Sequence, residues 1–344
     1  MPCSSLSGVS IEETAAAAAR TYAAQRPELE RLTKLFIEFV TELLDDAGIN
    51  YVSITGRTKS VESFAAKAAR TVVTDDGETV ALYGDPLTEI TDQIGVRVVT
   101  YLRGDVTAVA EVLSDQFSVF DDRDMGQETA RQGRFGYSSR HLLVAPDPLK
   151  PLPAAYAQLK GRTASVQLRS ILQHAWAEFE HDVRYKGTIP VEQAPDLDRR
   201  FTLAAGLLEL ADREFTEIRD RLQASMEGQQ VPSGQDDPRI SSADLATFLA
   251  GQFQDARWSR TDHYAWISGL LLELGITSLD ELTGLLRSID LAGINARMGY
   301  RHPPAAVRRL DDALLAVFGQ RYIALHGNEH REGALRARLE KLRA

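Results

Sequence analysis

Cations, a carboxylate and an aromatic ring recur in four short blocks of this chain, and residues of these types suit the handling of phosphates. The first block holds Gly56, Arg57, Lys59, Ser63 and Lys67. If the chain is extended up to Ser60, Arg57 and Lys59 share a face; if the next segment is helical, Ser63 and Lys67 stack one turn apart. Three cations meeting in this way would hold a polyphosphate. The same residues also read as a strand end followed by a surface helix with solvated lysines, since basic side chains are mostly exposed. The second block holds Asp92 and Arg97. A carboxylate at a strand edge suits a hard divalent cation and equally suits a turn or helix cap. The third block runs Phe135, Gly136, Tyr137, Ser138, Ser139, Arg140, His141. In an extended chain Tyr137, Ser139 and His141 share a face, and the tyrosine either stacks on a base or half-buries in a sheet. The fourth block runs from Ser165 through Gln167 to Lys186, with His174, Glu178 and His181 on one helix face. Metal ligands take that spacing, and so does an ordinary hydrogen-bonded face.

These blocks need elements to hold them. Residues 11–48 are alanine-rich with a helical pattern. Pro27 predicts a division into two helices, Leu32, Leu35, Phe36, Phe39, Val40, Leu43 and Leu44 form a buried stripe in the second, and Gly48 ends it. Strands are expected at 51–54, 95–101, 117–120, 135–144 and 163–169, and a hairpin at 72–84 turning on Asp75, Asp76 and Gly77. Helices are expected at 61–70, 86–90, 105–115, 170–185 and 197–226, with a charged loop at 121–134. In the 170–185 helix, Ile171, Leu172, Ala175, Trp176, Phe179 and Val183 are expected to face the core. Each chemical block joins a strand to a turn or helix, which places its residues at strand ends, where ligands lie in open sheets. Residues 227–240 are polar and rich in helix breakers, so the chain is expected to divide into 1–226, a linker at 227–240, and a helical accessory domain at 241–344. Helices are expected there at 242–253, 264–274, 278–289 and 305–325, with a charged tail after 329 that frays.

Composition narrows the classes. The 344 residues exceed one typical domain, and 44% of them are hydrophobic, enough for a large core. A net charge of -10 argues against a general nucleic-acid-binding surface, and it leaves room for a local basic pocket. The single cysteine, Cys3, excludes an internal disulfide and suits a reducing compartment. No secretory pattern opens the sequence and no apolar run is long enough for a bilayer. The expectation is a cytoplasmic protein without a membrane segment.

Together the blocks resemble the synthetase domain of the RelA/SpoT alarmone family, the GTP pyrophosphokinases. The resemblance covers roughly residues 50–186 and rests on Arg57, Lys59, Ser63 and Lys67; on Asp92 and Arg97; on Gly136, Tyr137, Ser139 and His141; and on Gln167, Leu168, Arg169, Ser170, then Trp176, Glu180, His181, Tyr185 and Lys186. It implies an α+β, nucleotidyltransferase-like fold: a mixed sheet of about five strands flanked by helices, here followed by the all-helical C-terminal domain. It also implies Mg²⁺-dependent transfer of pyrophosphate from ATP to the 3′-hydroxyl of GDP or GTP. By that resemblance Arg57, Lys59 and Lys67 hold the ATP phosphates with Ser63 assisting, Asp92 holds Mg²⁺, and Tyr137 stacks on guanine. Arg97, Ser139, His141 and Gln167 support the acceptor, and a homo-oligomer would fit short members of the family.

Two departures stand out. Members usually carry a glutamate two residues before the glutamine, where this chain has Ser165. Serine is uncharged and a poor base, and loss of general-base help costs about 10²–10⁴-fold in rate. In the loop before Tyr137, lysines and an asparagine give way to Gly133, Arg134 and Phe135, with Arg134 as the replacement anion contact. The hydrolase half of long members is expected to be absent. Besides an active synthetase, two alternatives follow: a catalytically weakened nucleotide-binding member, and a toxin-like relative that pyrophosphorylates tRNA, for which Arg301, Arg308 and Arg309 offer a basic patch.

Overall fold

In the computed structural model, residues 11–126, 139–185, 194–225, 239–256, 258–300 and 304–343 are described. The first helix, α1, runs without interruption over Ile11–Asp46 with Pro27 inside it. This corrects the expected division at Pro27. A mid-helix proline costs about 3 kcal/mol, but here burial holds both flanks: Ala15, Ala18, Ala19 and Tyr22 before it, Leu29, Leu32 and Phe36 after it. Burying a large apolar side chain contributes about 1.5–3 kcal/mol, so a few such residues outweigh the break. Gly48 turns the chain out of the helix with φ +67°.

Five strands form the main sheet: β1 (Tyr51–Thr58), β4 (Ile94–Thr100), β5 (Phe117–Asp124), β6 (Arg140–Pro146) and β7 (Ala164–Ser170). Their order is β1-β4-β7-β6-β5. Only the β4–β7 pair is parallel, so the sheet is mixed as expected. A separate hairpin, β2 (Thr71–Val73) and β3 (Thr79–Ala81), turns through Gly77. Between the strands lie α2 (Val61–Ala68), α3 (Pro86–Glu89) and α4 (Arg103–Gln116). Strand β5 runs on to Asp124, into what the sequence marks as a charged loop, because pairing with β6 satisfies its backbone.

Strand alternation sorts the two faces. Val96, Val98, Leu142, Val144, Val166 and Leu168 join Phe36, Val40, Val109 and Leu113 in one buried cluster. The intervening residues point to the other face, which is only partly covered. A Cβ on Gly56 would come within 2.8 Å of Ile37 Cδ1 and 3.0 Å of the Gly95 carbonyl oxygen. Glycine therefore lets β1 pass close to both α1 and β4.

After β7 come α5 (Ile171–Glu180), a π-helical turn (His181–Tyr185) and α6 (Ala194–Ser225). The expected core side of α5 is only partly right. Trp176 is buried, but Ile171, Ala175, Phe179 and Val183 are exposed, and Gln173 is buried instead. Helix α5 packs on a small satellite cluster built from Trp176, Phe201 and Ala205, too narrow to cover a full apolar stripe.

The remaining helices are α7 (Ser242–Gln252), α8 (Thr261–Leu274), α9 (Leu279–Arg287), α10 (Leu291–Met298), α11 (Ala306–Phe318), α12 (Gln320–Ile323) and α13 (Glu332–Arg343). They share a second buried cluster. Three expectations change here. Helix α10 appears where none was expected, and the 305–325 helix breaks at Gly319, which has φ +52°. The charged tail is ordered as α13, because Leu335, Leu339, Leu342 and Arg338 are buried. Residues 226–238, nearly all of the expected linker, lie outside the described residues. No described helix is long and apolar enough to cross a membrane.

Candidate active site

The sheet register assembles the site. Thr55, Arg97, Gln167, His141 and Arg123 are successive partners across β1, β4, β7, β6 and β5. One step along, Arg57 pairs with Gly95, and Gly95 with Ser165. Neighbouring strands lie about 4.8 Å apart, so Arg97, Gln167 and His141 line up within one nucleoside's length. The chemistry thus sits on the sheet's open face and not only at strand ends. The reason is that α1 and α4 cover the opposite face, leaving this one available.

Two basins meet at Asp92. One, of about 460 Å³, is lined by Arg57, Asp92, Arg97, His141, Ser165 and Gln167 among others. The second, also of about 460 Å³, is lined by Lys59, Ser63, Ala66, Lys67, Arg70 and Asp92. Both volumes lie in the range of small-molecule sites. Asp92 Oδ2 accepts from Lys59 Nζ at 2.8 Å and Oδ1 from Lys67 Nζ at 3.0 Å. Burial alone would raise the Asp92 pKa, but the hydrogen bonds and charges of the two lysines hold it below the usual carboxylate value.

Local structure explains the placement. Ser60 caps α2, its hydroxyl accepting from the Ser63 N–H, which sets Lys67 one turn above Ser63. Lys59 is fixed through its backbone: its N–H donates to the Gln93 carbonyl, and its own carbonyl accepts from Tyr22 Oη at 2.7 Å. Tyr22 stacks on Phe64 at 4.1 Å between ring centroids. Burial is the main cause pushing the Tyr22 hydroxyl pKa up to about 12, so it remains a donor. At the far end of β7, Ser170 and Gln173 form a capping box that starts α5. Two turns on, Glu178 reaches back to Arg97 at 2.7 Å.

Of the sequence-derived residues, Arg57, Asp92, Arg97, His141 and Gln167 share the first basin, and Lys59, Ser63, Lys67 and Asp92 the second. Ser139 is buried, and its hydroxyl lies 2.6 Å from His141 Nε2; it orients the imidazole. Arg134 and Tyr137 lie outside the described residues, as does Arg301. His174, Glu178 and His181 form no metal cluster; the described residues contain no group of three or more such ligands. The proposed tRNA-binding patch is not a free basic surface either, since Arg308 pairs with Asp46 and Arg309 with Asp255. Sequence reasoning missed Tyr22 and Arg26, and named Arg169 in its fourth block without giving it a role. Arg26 Nε donates to the Lys59 carbonyl at 3.4 Å, and only the tertiary packing of α1 reveals that contact. Arg169 stands two residues beyond Gln167, so strand alternation could have found its role. Burial and the charges of Arg97 and Arg57 lower its pKa, against the opposing effect of Glu178.

Burial lowers the His141 pKa, and the charges of Arg169 and Arg123 add to this, with Asp121 opposing. The folded imidazole therefore binds its proton less readily than the unfolded one. Its contribution to stability is full above the ordinary histidine value of about 6.5 and is lost as pH falls through the lower folded value. An NMR titration should place the His141 midpoint below 6.5. A midpoint above it would show that Asp121, and not burial, dominates.

Over 177 residues the chain is 32% identical to the GTP pyrophosphokinase YjbM of Bacillus subtilis, an alignment spanning 49% of this chain and 72% of that protein. The chain belongs to the RelA/SpoT family. Residues 56–189 match the family description "Region found in RelA / SpoT proteins". Among solved structures, small alarmone synthetase 1 from Bacillus subtilis is similar at 25% identity, covering 60% of this chain and 97% of that one, with a TM-score of 0.41. The structure of that enzyme bound to its product pppGpp is similar at 28% identity, covering 50% and 80%, with a TM-score of 0.37. Hard Mg²⁺ is often held by one or two carboxylates together with substrate phosphates. Asp92 supplies one carboxylate beside a phosphate-sized basin of cations, so the residues fit an ion that arrives with phosphates.

Proposed function

We propose that this chain is an alarmone synthetase that transfers the β,γ-pyrophosphate of ATP to the 3′-hydroxyl of GDP or GTP. The acceptor oxygen bonds to the β-phosphorus, the bond to the α-phosphate oxygen breaks, AMP leaves, and the hydroxyl loses its proton. The observation that carries the reading is Asp92 held between Lys59 and Lys67 where two basins meet, in a chain 32% identical to a GTP pyrophosphokinase. Phosphoryl-type transfer asks mainly for positioning and charge neutralisation. Lys59, Lys67 and Arg57 neutralise the ATP phosphates, with Ser63 as a further donor. Arg97, Gln167 and His141, in line on the sheet, position the acceptor. Tyr137 stacks on guanine and Arg134 contacts an anion, both assigned from their sequence block. Mg²⁺, held by Asp92, would supply charge stabilisation to the transferring group.

One observation favours a second reading, a catalytically weakened nucleotide-binding member. Among the described residues lining the two basins, Asp92 is the sole carboxylate, with Ser165 at the position where the family resemblance implies a glutamate. Incubation with γ-labelled ATP, Mg²⁺ and GMP, GDP, GTP or tRNA separates the readings. Label in GDP or GTP supports synthesis; nucleotide binding without label supports the second reading; label in tRNA alone overturns both.

Ser165→Glu should raise turnover about tenfold or more, a modest part of what general-base help can supply, because it puts a second carboxylate beside Asp92. An unchanged or lower rate would mean that another carboxylate, Glu62 or Glu178, already does this work. Glu178 is engaged with Arg97 at 2.7 Å, which argues for the increase.

A further inference from the structure

We propose that Lys59 and Lys67 form a lock on Asp92, so that the metal position comes into being only when nucleotide phosphates draw the two lysines away. This rests on the synthetase reading of the site and adds the order in which its ligands assemble. Each oxygen of the carboxylate is taken by a different ammonium, at 2.8 Å and 3.0 Å. Mg²⁺ needs a carboxylate oxygen at about 2.0–2.1 Å, and two ammonium groups already in contact with the same carboxylate repel it. The pair is built into the fold. Lys59 and Gln93, the residue after Asp92, are tied backbone to backbone at 2.9 Å, and the Gln93 amide is anchored on the Leu87 and Ile90 carbonyls. The lysine side chains are 14% and 24% exposed, against 36% for Asp92 itself.

Among the described residues, neither basin has a second carboxylate in its lining to seat an ion while Asp92 is engaged, and Ser165 stands in the first of them. A polyphosphate entering the Lys59–Ser63–Lys67 basin offers the ammonium groups stronger anionic partners and frees Asp92. Metal and nucleotide then bind as a coupled pair, and by reciprocity each raises the affinity for the other.

The test needs no turnover. Free Mn²⁺ is followed by EPR with the full, nucleotide-free chain. The native protein should bind Mn²⁺ weakly, and Lys59→Met with Lys67→Met should bind it about tenfold tighter or more, within the usual range of coupling between sites. Adding Asp92→Asn should remove the gain. The single Lys67→Met variant, altered on the last turn of α2, should show part of the effect if the double variant folds poorly. The lock is overturned if the native chain binds Mn²⁺ as tightly as the lysine variants, or if the gain survives Asp92→Asn. Binding of a fluorescent ATP analogue to the native chain is measured alongside, with and without Mg²⁺. Its absence in both would sink the synthetase reading; its presence without any lysine effect on Mn²⁺ would sink the lock alone.

Discussion

Asp92→Asn should lower kcat by about 10³-fold, or about 4 kcal/mol of transition-state stabilisation, while the KM for ATP stays level or falls. The two effects have separate causes. Asparagine keeps the shape but removes the charge that would hold a cation against the transferring group, a loss of the size seen when one electrostatic stabiliser is deleted from an active site. The same change releases Lys59 and Lys67, which now donate to Asp92 at 2.8 Å and 3.0 Å. Unpaired, they attract ATP phosphates at least as well as before. Lys67→Met should do the reverse, raising the KM for ATP. Steady-state kinetics with ATP varied at saturating GDP separates the patterns. A raised KM with unchanged kcat in Asp92→Asn would mean that the carboxylate only organises the lysines.

Arg308→Met should destabilise the protein by about 3 kcal/mol, the lower end of the cost of breaking a buried ion pair by removing one partner. Arg308 is 5% exposed. Its Nη1 pairs with Asp46 at the end of α1 at 2.6 Å and also donates to the Asp46 backbone carbonyl. Its Nε donates to Tyr300 Oη at 2.8 Å and lies 3.4 Å from Asp312. Asp312 is fully buried and has Arg338 as its other cationic partner. The network continues from Arg338 and Arg331 to Asp311. These contacts join the helical region to the synthetase sheet through α1, the helix that also carries Tyr22 and Arg26 under Lys59. Two of the three tryptophans, Trp258 and Trp266, lie on the helical side, so their fluorescence in a urea titration reports the loss. Burial pushes the Asp46 and Asp311 carboxyls up, but the surrounding arginines prevail and hold both below the usual value. Their contribution is therefore complete above the ordinary pKa of about 3.9 and is withdrawn as pH falls below it. A midpoint unchanged in Arg308→Met would show that Arg338 alone carries the junction.

Much of the site was legible in the order of residues. Arg57, Lys59, Ser63, Lys67, Asp92, Arg97, Gln167 and His141 all reach the two basins. Their spacing follows the two-residue period of strands and the one-turn period of helices, which are local properties of the chain. The strands themselves were legible for the same reason, since alternating apolar residues mark a sheet with one covered face. Departures from local pattern were decided elsewhere. Pro27 stays inside α1 because core contacts on both sides outweigh a missing hydrogen bond. The charged tail folds as α13 because Arg338, which reads as a solvated residue, finds two buried aspartates across the domain. Arg308 and Arg309, which read as a basic patch, are paired with Asp46 and Asp255, far from them in the chain. The amino-acid order thus determined which chemistry the chain can offer, because that depends on residue type and short-range periodicity. Tertiary structure alone decided who meets whom: that Asp92 is held by two lysines, and that α1 links both halves. Those facts depend on contacts between residues far apart in the chain, which no local pattern encodes.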